Sequence, residues 1–353
     1  MKILHVVEPF ATGVLSFIQE LCNNQADMGH DVSIAYGVRE GTPKNVEEMF
    51  DSRIKMIQVK AFNGALKSLL NPKAYIEINR IYRNFNPDVV HLHSSASGFI
   101  GRISIPCHKT KVFYTPHGYS FLSDNTPFLL KKIFWIIEKV ASLFKSVTIA
   151  CSAREYQDAK KITSHSAFVN NGVNVKDLGK YAKSLDFSNN ITVCTSGRII
   201  HQKGPLFFNE IAKKLPQVKF IWIGEGDMQD ALTAPNITIT GWKEREDTLS
   251  IVGNSTFFIL TSYGEGLSVS LLEAMALKRI CIVRNVRGCK DVIRNNENGF
   301  LCDTVDDFVD VINNVITGKL DGNIVSQGAY NDILSQYDSD RMAKKYLEIY
   351  LKG

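Results

Sequence analysis

The segment from Glu265 to Glu273, which reads EGLSVSLLE, carries two carboxylates directly after an apolar run at residues 257–261. The run predicts a strand, and the segment predicts a helix that begins near Leu267. The first N–H groups of a helix lack intrahelical partners and attract anions, so the backbone of Leu267 and Ser268 is a candidate phosphate site. Glu265 could accept hydrogen bonds from sugar hydroxyls and Glu273 from a ribose. Alternatively, Glu265 only complements the helix end and Glu273 is a surface charge.

A second segment whose residues could bind or react with a ligand, SGRIIHQKG, ends at Gly204 and again follows a predicted strand. Arg198 offers a planar fork of donors and Lys203 a compact ammonium group, a combination suited to two phosphates. Lys203 precedes its glycine, so the order required of a P-loop is absent. The alternative is a surface turn, but a loop at the carboxyl end of a strand is where open α/β sheets bind ligands.

Two weaker signals follow in the second half of the chain. Gly224 and Gly226 supply only two glycines of the dinucleotide fingerprint, which predicts a tight turn near a nucleotide and argues against NAD binding. Gly241 and Trp242 follow another strand, where the aromatic ring either lies beside a base or is buried.

In the first half, histidines stand at the ends of two predicted strands. His91 and His93 end one strand, and His117, Gly118 and Tyr119 follow the next. The spacing of His91 and His93 could suit a metal, but no third histidine or carboxylate lies at matching spacing, so we expect none. We interpret His91 as a buried, hydrogen-bonded histidine and His117 as the better candidate for substrate contact.

Short β-branched or aromatic runs alternate with helical patterns along the whole chain, which predicts parallel sheets built from βαβ units. The predicted strands are 2–7, 31–35, 54–59, 89–92, 111–115 and 146–150, then 191–196, 218–223, 237–240, 256–261 and 280–284. We place the junction in the polar stretch 183–190. The predicted domains are 1–185 and 186–337, each a doubly wound α/β domain, with a closing helix at 338–353 that packs back on the first.

Composition excludes several classes of protein. Hydrophobic residues form 44% and charged residues 22% of the 353 residues, as in ordinary globular proteins, and the net charge of +5 is too small to require nucleic acid. Residues 1–190 hold 23 basic and 16 acidic side chains, a net +7, whereas residues 191–353 carry −2. The basic first half predicts a surface that meets anions such as anionic lipid.

Seven scattered cysteines form no CxxC pair and no Cys/His cluster at zinc-ligand spacing. The N-terminal segment MKILHVVEPF is too short and polar for a signal peptide, and no apolar run reaches about 18 residues. We therefore expect a reduced cytoplasmic protein without a structural metal or a spanning segment.

Residues 126–147 predict a helix with four lysines, at 131, 132, 139 and 145, and a wide apolar arc. Such a helix can lie in a membrane interface. On spacing alone, a crossover helix buried against the sheet is the favoured interpretation.

Taken together, these motifs resemble the retaining nucleotide-sugar glycosyltransferases of family 4. The resemblance covers nearly the whole chain in order and includes Gly13, TPHG at 115–118, NGVN at 171–174, GR…KG at 197–204, EGLSVSLLE at 265–273 and GFL at 299–301. It departs from the family at Ala11-Thr12-Gly13, where two glycines are usual, at Asn174, where Asp is common, and at Thr261. The resemblance implies the GT-B fold, with two Rossmann-like domains facing across a cleft.

The resemblance also implies residue roles. Arg198 and Lys203 would hold the diphosphate and stabilise the leaving group, Glu273 would bind the ribose and Glu265 the sugar hydroxyls, and His117 would lie near the anomeric carbon. Glu265 as a nucleophile is the rival view. The implied donor contacts are Gly13, Gly197, Arg198, Lys203, Gly224, Gly241, Trp242, Glu265, Gly266, Leu267, Ser268 and Glu273, and the implied acceptor-side residues are His93 and Tyr119.

The expected function is transfer of a hexose or N-acetylhexosamine, without a metal or other cofactor, from a UDP-sugar to a saccharide acceptor. A polyprenyl-diphosphate-linked acceptor of surface-polysaccharide synthesis fits the basic first half, and it implies peripheral contact with the cytoplasmic face of the membrane. Two alternatives remain, a nucleotide-sugar 2-epimerase of the same fold and a non-catalytic sugar-nucleotide-binding protein. An epimerase needs an acid/base carboxylate pair that the first half does not show.

Overall fold

The computed structural model describes residues 1–39, 41–122, 127–187 and 191–353. The chain divides into two compact units, one formed by Met1–Asn171 with Ser339–Gly353 and the other by Gly172–Asp338. Each unit is built on a parallel sheet, as the alternation of strand and helix patterns predicts.

The sheet of the first unit has seven strands. In chain order the elements are β1 (Lys2–Val7), α1 (Thr12–Asp27), β2 (Asp31–Tyr36), β3 (Lys55–Gln58), α2 (Ala65–Leu69), α3 (Pro72–Phe85), β4 (Val89–His93), α4 (Ser95–Ser104), β5 (Lys111–Thr115), α5 (Phe128–Ala141), β6 (Val147–Ala150), α6 (Ala153–Ile162) and β7 (Ser166–Phe168). The spatial order is β3-β2-β1-β4-β5-β6-β7. The direction of winding therefore reverses between β1 and β4, which opens a crevice at the carboxyl ends of these strands.

Alternate residues of the central strands enter two apolar clusters, one on each face of this sheet. Ile3 and Val7 join the cluster on one face, while Leu4 and Val6 join the other. Because helices cover both faces, the strands read as nearly continuous apolar runs.

The sheet of the second unit has six strands. Its elements are α7 (Val175–Gly179), β8 (Thr192–Ser196), α8 (Pro205–Lys214), β9 (Lys219–Ile223), β10 (Ile237–Ile239), α9 (Arg245–Gly253), β11 (Phe257–Leu260), α10 (Val269–Ala276), β12 (Ile280–Arg284), β13 (Phe300–Cys302), α11 (Val305–Ile316) and α12 (Gly322–Gln336). The order β10-β9-β8-β11-β12-β13 reverses between β8 and β11. The final helix, α13 (Ser339–Lys352), lies in the first unit, where Tyr346 and Tyr350 enter its core.

The predicted domain boundary at 185/186 is wrong, because the division falls after Asn171. Val173 donates its N–H to the Tyr337 carbonyl at 2.8 Å, and Leu178 is fully buried in the core of the second unit. The polar stretch 183–190 therefore connects α7 to β8 inside the second unit, and its residues 188–190 lie outside the described part. The polar composition of this stretch is that of a connection on the surface of one unit, and the prediction mistook it for a linker between domains.

Two strands were not predicted, β7 and β13. Each has three residues and pairs at the edge of its sheet, with β6 and β12 respectively. A run of three residues is too short to show the alternation or the apolar length by which strands are recognised.

The predicted helix at 126–147 is shorter, since α5 ends at Ala141 and Thr126 lies outside the described residues. Only Glu138 and Ala141 of α5 are buried, so the interpretation as a helix buried against the sheet is wrong. Glu138 accepts hydrogen bonds from Arg102 at 3.1 Å and Tyr114 at 2.8 Å. The exposed apolar side chains of α5 and the following turn are Phe128, Leu129, Leu130, Ile133, Trp135, Ile136, Val140, Leu143 and Phe144.

None of the helices in the described ranges combines the length and apolar character needed to cross a membrane.

Candidate active site

Two loops of the second unit leave the sheet where its winding reverses, one after β8 and the other after β11. The first carries Lys203 and the second Glu265, and the Lys203 Nζ lies 2.7 Å from the Glu265 Oε1. The Ser262 hydroxyl donates to the same oxygen at 2.6 Å. Two predicted site residues, 62 positions apart in the chain, therefore form one ion pair at the carboxyl edge of the sheet.

Close backbone packing holds these two loops together. Gly204 has φ +67°, and a Cβ there would lie 2.2 Å from the Thr261 carbonyl oxygen. The Thr261 hydroxyl in turn donates to the Lys203 carbonyl at 2.8 Å. Glycine is required at position 204 for both reasons, and this contact sets the position from which Lys203 reaches Glu265.

Arg198 extends from the same loop into solvent. The neighbouring turn is fixed by Gly224, where a Cβ would lie 2.2 Å from the Gly197 carbonyl oxygen, and by Trp222, whose indole N–H donates to that oxygen at 2.8 Å. The predicted tight turn at Gly224 thus supports the Gly197 loop. The exposed Arg198 guanidinium is accessible to an anion at this edge.

The helix after Glu265 begins two residues later than predicted. Its first residue is Val269, and the Ser268 side chain caps it by accepting the Leu271 N–H at 3.4 Å. Leu267 and Ser268 therefore lie in the approach to the helix rather than in its first turn. Unpartnered N–H groups belong to a helix's first turn, so the anion-attracting end of α10 lies at Val269 and Ser270.

Glu273 is not a surface charge. Its side chain is only 12% exposed, and its Oε1 lies 2.6 Å from Arg245 Nη1. Burial raises the pKa of the Glu273 carboxyl, and the nearby Arg245 opposes this shift. A buried carboxylate held by one arginine has remaining lone pairs for hydroxyl donors.

The other predicted donor residues of this unit lie at accessible positions. A Cβ on Gly266 would meet no described atom within 4 Å, so the backbone there borders open space. Trp242 is 57% exposed, which rules out the alternative of a buried indole, and Gly241 precedes it with φ +69°. Open backbone and an exposed ring are available for ligand contact.

Arg284, the last residue of β12, was missed by the sequence analysis. Its guanidinium stacks 4.7 Å from the Tyr263 ring centroid and 4.8 Å from that of Phe207. Among the described residues its buried Nε and Nη1 have no hydrogen-bond partner. The sequence did hold a signal for it, because Arg284 ends the predicted strand that follows the Glu265 segment, and ligands bind at the carboxyl ends of such strands.

In the first unit, a buried histidine network occupies the carboxyl ends of β1, β4 and β5. His93 lies between two other histidines, 3.0 Å from His5 and 3.1 Å from His117. His91 is fully buried and bonded to Tyr350 at 2.5 Å and to Thr115 at 2.8 Å, which confirms its predicted character.

The expectation that no third histidine accompanies His91 and His93 is wrong. His5, from β1, brings three histidines with ligand atoms within 4.8 Å of one another. Sequence spacing missed it because β1 and β4 are neighbours only in the folded sheet. Each ring nitrogen of the three already has a hydrogen-bond partner, which favours a hydrogen-bonded network over a metal site.

Burial keeps these rings neutral. It lowers the pKa of His5 to about 4 and that of His117 to about 3. Burial, aided by the neighbouring histidines, also places the pKa values of His91 and His93 well below the usual range. Near pH 7 the four histidines are therefore hydrogen-bonded to one another or to their neighbours as neutral rings.

His117 is the partly exposed end of this network, and its turn is strained. It has φ +53°, and the next N–H, of Gly118, donates to Glu155 Oε1 at 2.6 Å. The other carboxylate oxygen of Glu155 accepts the Cys151 N–H at 2.7 Å. Glu155 was also missed, although Ser152 and Glu155 have the spacing of a helix capping box. Backbone strain of this kind clusters at functional sites.

His93 and Tyr119, predicted as acceptor-side contacts, do not reach the surface. His93 is fully buried and Tyr119 is 3% exposed, packed 4.9 Å from the Phe121 ring centroid. Strand-end position alone suggested exposure, but the side chain of His93 turns into the core. Gly13 lies in the first turn of α1 and is exposed, at the reversal point of the first sheet.

Two doubly wound units, with cations and carboxylates gathered at the reversal point of the second, are the arrangement expected of the GT-B fold, and two family models assign the chain to the glycosyltransferases. A model described as "Glycosyltransferase Family 4" matches residues 11–177, and one described as "Glycosyl transferases group 1" matches residues 190–318. The chain belongs to the family 4 glycosyltransferases.

Similar proteins agree with this assignment. The chain is 26% identical to UDP-Gal:alpha-D-GlcNAc-diphosphoundecaprenol alpha-1,3-galactosyltransferase of Escherichia coli, over 99% of this chain and 97% of that one. It is 23% identical to N,N'-diacetylbacillosaminyl-diphospho-undecaprenol alpha-1,3-N-acetylgalactosaminyltransferase of Campylobacter jejuni, over 86% and 87%. The structure of Anabaena HepE in complex with UDP superposes with a TM-score of 0.79 at 15% identity, covering 100% of both chains.

Proposed function

We propose that the protein transfers a hexose or N-acetylhexosamine from a UDP-sugar to a polyprenyl-diphosphate-linked saccharide, with retention, in surface-polysaccharide synthesis. The observation that carries the proposal is the Lys203–Glu265 pair at the reversal point of the second sheet, beside the exposed Arg198. The names of the Escherichia coli and Campylobacter jejuni relatives support a UDP-sugar donor and an undecaprenyl-diphosphate-linked acceptor respectively. The UDP complex of the structural neighbour supports the nucleotide.

In the proposed reaction, the bond between the anomeric carbon and the diphosphate breaks while an acceptor hydroxyl oxygen bonds to that carbon. The hydroxyl proton passes to the departing phosphate oxygen, and UDP leaves. Arg198 and Lys203 stabilise the charge that builds on the diphosphate, and the end of α10 adds backbone N–H donors. The sugar hydroxyls donate to Glu265.

The ribose hydroxyls donate to Glu273, whose carboxylate is already oriented by Arg245. His117 of the first unit acts near the anomeric carbon, and Gly13 near the β-phosphate. Because two side-chain cations serve the diphosphate, we propose that no metal is required. Transfer that persists at full rate in excess chelator supports this, and transfer that returns only with added Mg²⁺ or Mn²⁺ refutes it.

We further propose that the protein works at the cytoplasmic face of the membrane, held there peripherally by α5. Its apolar side chains are exposed, Lys132 Nζ lies 4.7 Å from the centroid of the Phe128 ring, and the buried Glu138–Arg102 pair holds the helix to α4. Apolar insertion and attraction to anionic lipid reinforce one another. Sedimentation with anionic vesicles at low salt should be lost in an Ile133→Ser/Ile136→Ser variant and kept in a Leu206→Ser control, which alters an exposed leucine of the second unit.

The experiment that tests the whole proposal compares binding with transfer. We expect UDP to raise the melting temperature, since a ligand specific for the folded state stabilises it, whereas GDP, ADP and NAD leave it unchanged. Glu265→Ala should keep the UDP shift and lose sugar transfer to a polyprenyl-diphosphate-linked saccharide. Glu297→Ala, which removes an exposed carboxylate of the same unit, is the matched control. Unchanged transfer in Glu265→Ala refutes the assigned role.

A further inference from the structure

Behind His117, a line of hydrogen bonds leads away from the surface and ends at an amide. His117 Nε2 faces His93 Nδ1, His93 Nε2 faces His5 Nδ1, and His5 Nε2 lies 2.8 Å from Gln25 Oε1. Gln25 belongs to α1 and is fully buried. The four side chains come from three strands or strand ends and one helix.

In such a line, the nitrogen that carries the proton on one ring determines which nitrogen carries it on the next ring. A neutral imidazole carries one N–H and one bare nitrogen, so a ring that accepts at one nitrogen donates at the other. In the orientation that the structure gives the Gln25 amide, its oxygen faces His5 and can only accept, which places a proton on His5 Nε2 and leaves its Nδ1 bare. His93 must then donate from Nε2 and accept at Nδ1.

The same rule fixes His117. Its Nε2 must donate to the bare Nδ1 of His93, which leaves the Nδ1 of His117 without a proton. The His117 ring is held edge-on by Phe17 at a centroid distance of 4.6 Å, and it is the member of the line that is partly exposed. His91 does not interrupt the line, because its two nitrogens are bonded to Tyr350 and Thr115.

We propose that Gln25 is a positioning residue for the transfer reaction, because its amide oxygen, acting through His5 and His93, holds His117 with a bare Nδ1 that accepts a hydrogen bond from a substrate hydroxyl. This rests on the proposed role of His117 near the sugar. A ring with the opposite tautomer presents an N–H instead and cannot accept from a hydroxyl group. The buried line thereby disfavours a group that can only accept, such as a carbonyl oxygen, at this point of the substrate.

The first test reads the tautomer directly and needs no substrate. In protein labelled with ¹⁵N-histidine, the nitrogen and proton shifts distinguish bare from protonated ring nitrogens. We expect a protonated Nε2 and a bare Nδ1 for His117, assigned by its loss in His117→Ala. A protonated Nδ1 in the wild-type protein overturns the proposal. So does zinc in stoichiometric amount with metal-shifted histidine signals, which would mark a metal site.

The second test changes the end of the line. Gln25→Glu keeps an accepting oxygen, and we expect it to keep the His117 tautomer and transfer activity. Gln25→Leu removes the acceptor at nearly the same size, and we expect protonated Nδ1 in His117 and a fall in kcat of roughly 3- to 10-fold, the range for one neutral hydrogen bond. The Kd for UDP should not change, because none of the residues proposed to hold UDP belongs to this line of side chains.

These outcomes separate the inference from the proposed function. If Gln25→Leu leaves the His117 signals and kcat unchanged, the relay is refuted even though the enzyme transfers sugar. If His117→Ala transfers at the wild-type rate, the proposed role of His117 fails, and the positioning role of Gln25 fails with it, whatever the tautomer. Should Gln25→Leu not fold, the wild-type spectrum still decides which nitrogen of His117 carries the proton.

Discussion

Glu273→Gln isolates the carboxylate proposed to bind the ribose. The side chain is nearly buried at 12% exposure and lies 2.6 Å from Arg245, so a glutamine of the same shape fits the space while removing the charge. Replacing a charge-assisted hydrogen bond by a neutral one costs about 1–1.5 kcal/mol. For two ribose hydroxyls this amounts to about 2–3 kcal/mol, or a rise in the Kd for UDP of roughly 30- to 160-fold.

The pH dependence supplies a sharper signature. Burial raises the pKa of the Glu273 carboxyl above its usual 4.5. Hydroxyl donors bind the ionised form, so the affinity of the wild-type protein for UDP should fall as the pH falls through the raised pKa. A glutamine does not titrate, so the ratio of variant to wild-type Kd should shrink as the pH is lowered from about 8 to about 5.

Isothermal titration of UDP at several pH values measures both effects. Glu297→Gln is the matched control, because Glu297 is also paired with an arginine but is 66% exposed and lies away from the reversal point. Its Kd for UDP should equal that of the wild-type protein at every pH. A Kd for Glu273→Gln within threefold of wild type, or a ratio that stays constant with pH, would refute the ribose assignment.

Three further substitutions test the surrounding structure. Glu138→Gln leaves the Arg102 charge, 1% exposed, without its carboxylate and should lower the free energy of unfolding by about 3–5 kcal/mol in urea; a loss below about 1 kcal/mol contradicts this. Gly204→Ala places a Cβ against the Thr261 carbonyl and should lower the free energy of unfolding by about 1–3 kcal/mol, measured by thermal unfolding. An unchanged melting temperature would contradict this. Gly266→Ala should leave the melting temperature unchanged but weaken UDP-sugar binding, and undiminished binding would show that no ligand approaches there.

The site of the second unit could be predicted largely from the sequence because each part of it is local. Arg198 and Lys203 lie in one loop after a strand, and Glu265 and Glu273 lie around one helix. Parallel strands end at the same edge of a sheet, so loops that follow β8 and β11 meet without further information. The direct Lys203–Glu265 contact was not foreseen, because it depends on the close approach of the two loop backbones at Gly204.

The site of the first unit could not be predicted to the same degree, because its contacts join distant elements. His5, His93 and His117 come from three chain segments, and only the order β1-β4-β5 makes them neighbours. Glu155 reaches the His117 turn from the beginning of α6. Every strand that apolar patterning predicted is present, but the pattern missed β7 and β13 and does not tell which side chain at a strand end points into the core.

The ion pairs of the second unit bear on how a sugar nucleotide would be selected. Lys203 and Glu265 neutralise one another, and so do Arg245 and Glu273. A diphosphate that draws Lys203 away leaves the Glu265 carboxylate, 9% exposed, with only the Ser262 hydroxyl among its described side-chain partners. Sugar hydroxyls can replace the lost donor, whereas UDP alone cannot, and an under-satisfied buried carboxylate is costly. On the roles proposed for these residues, we therefore expect the protein to bind the intact UDP-sugar more tightly than the UDP product, which would aid product release.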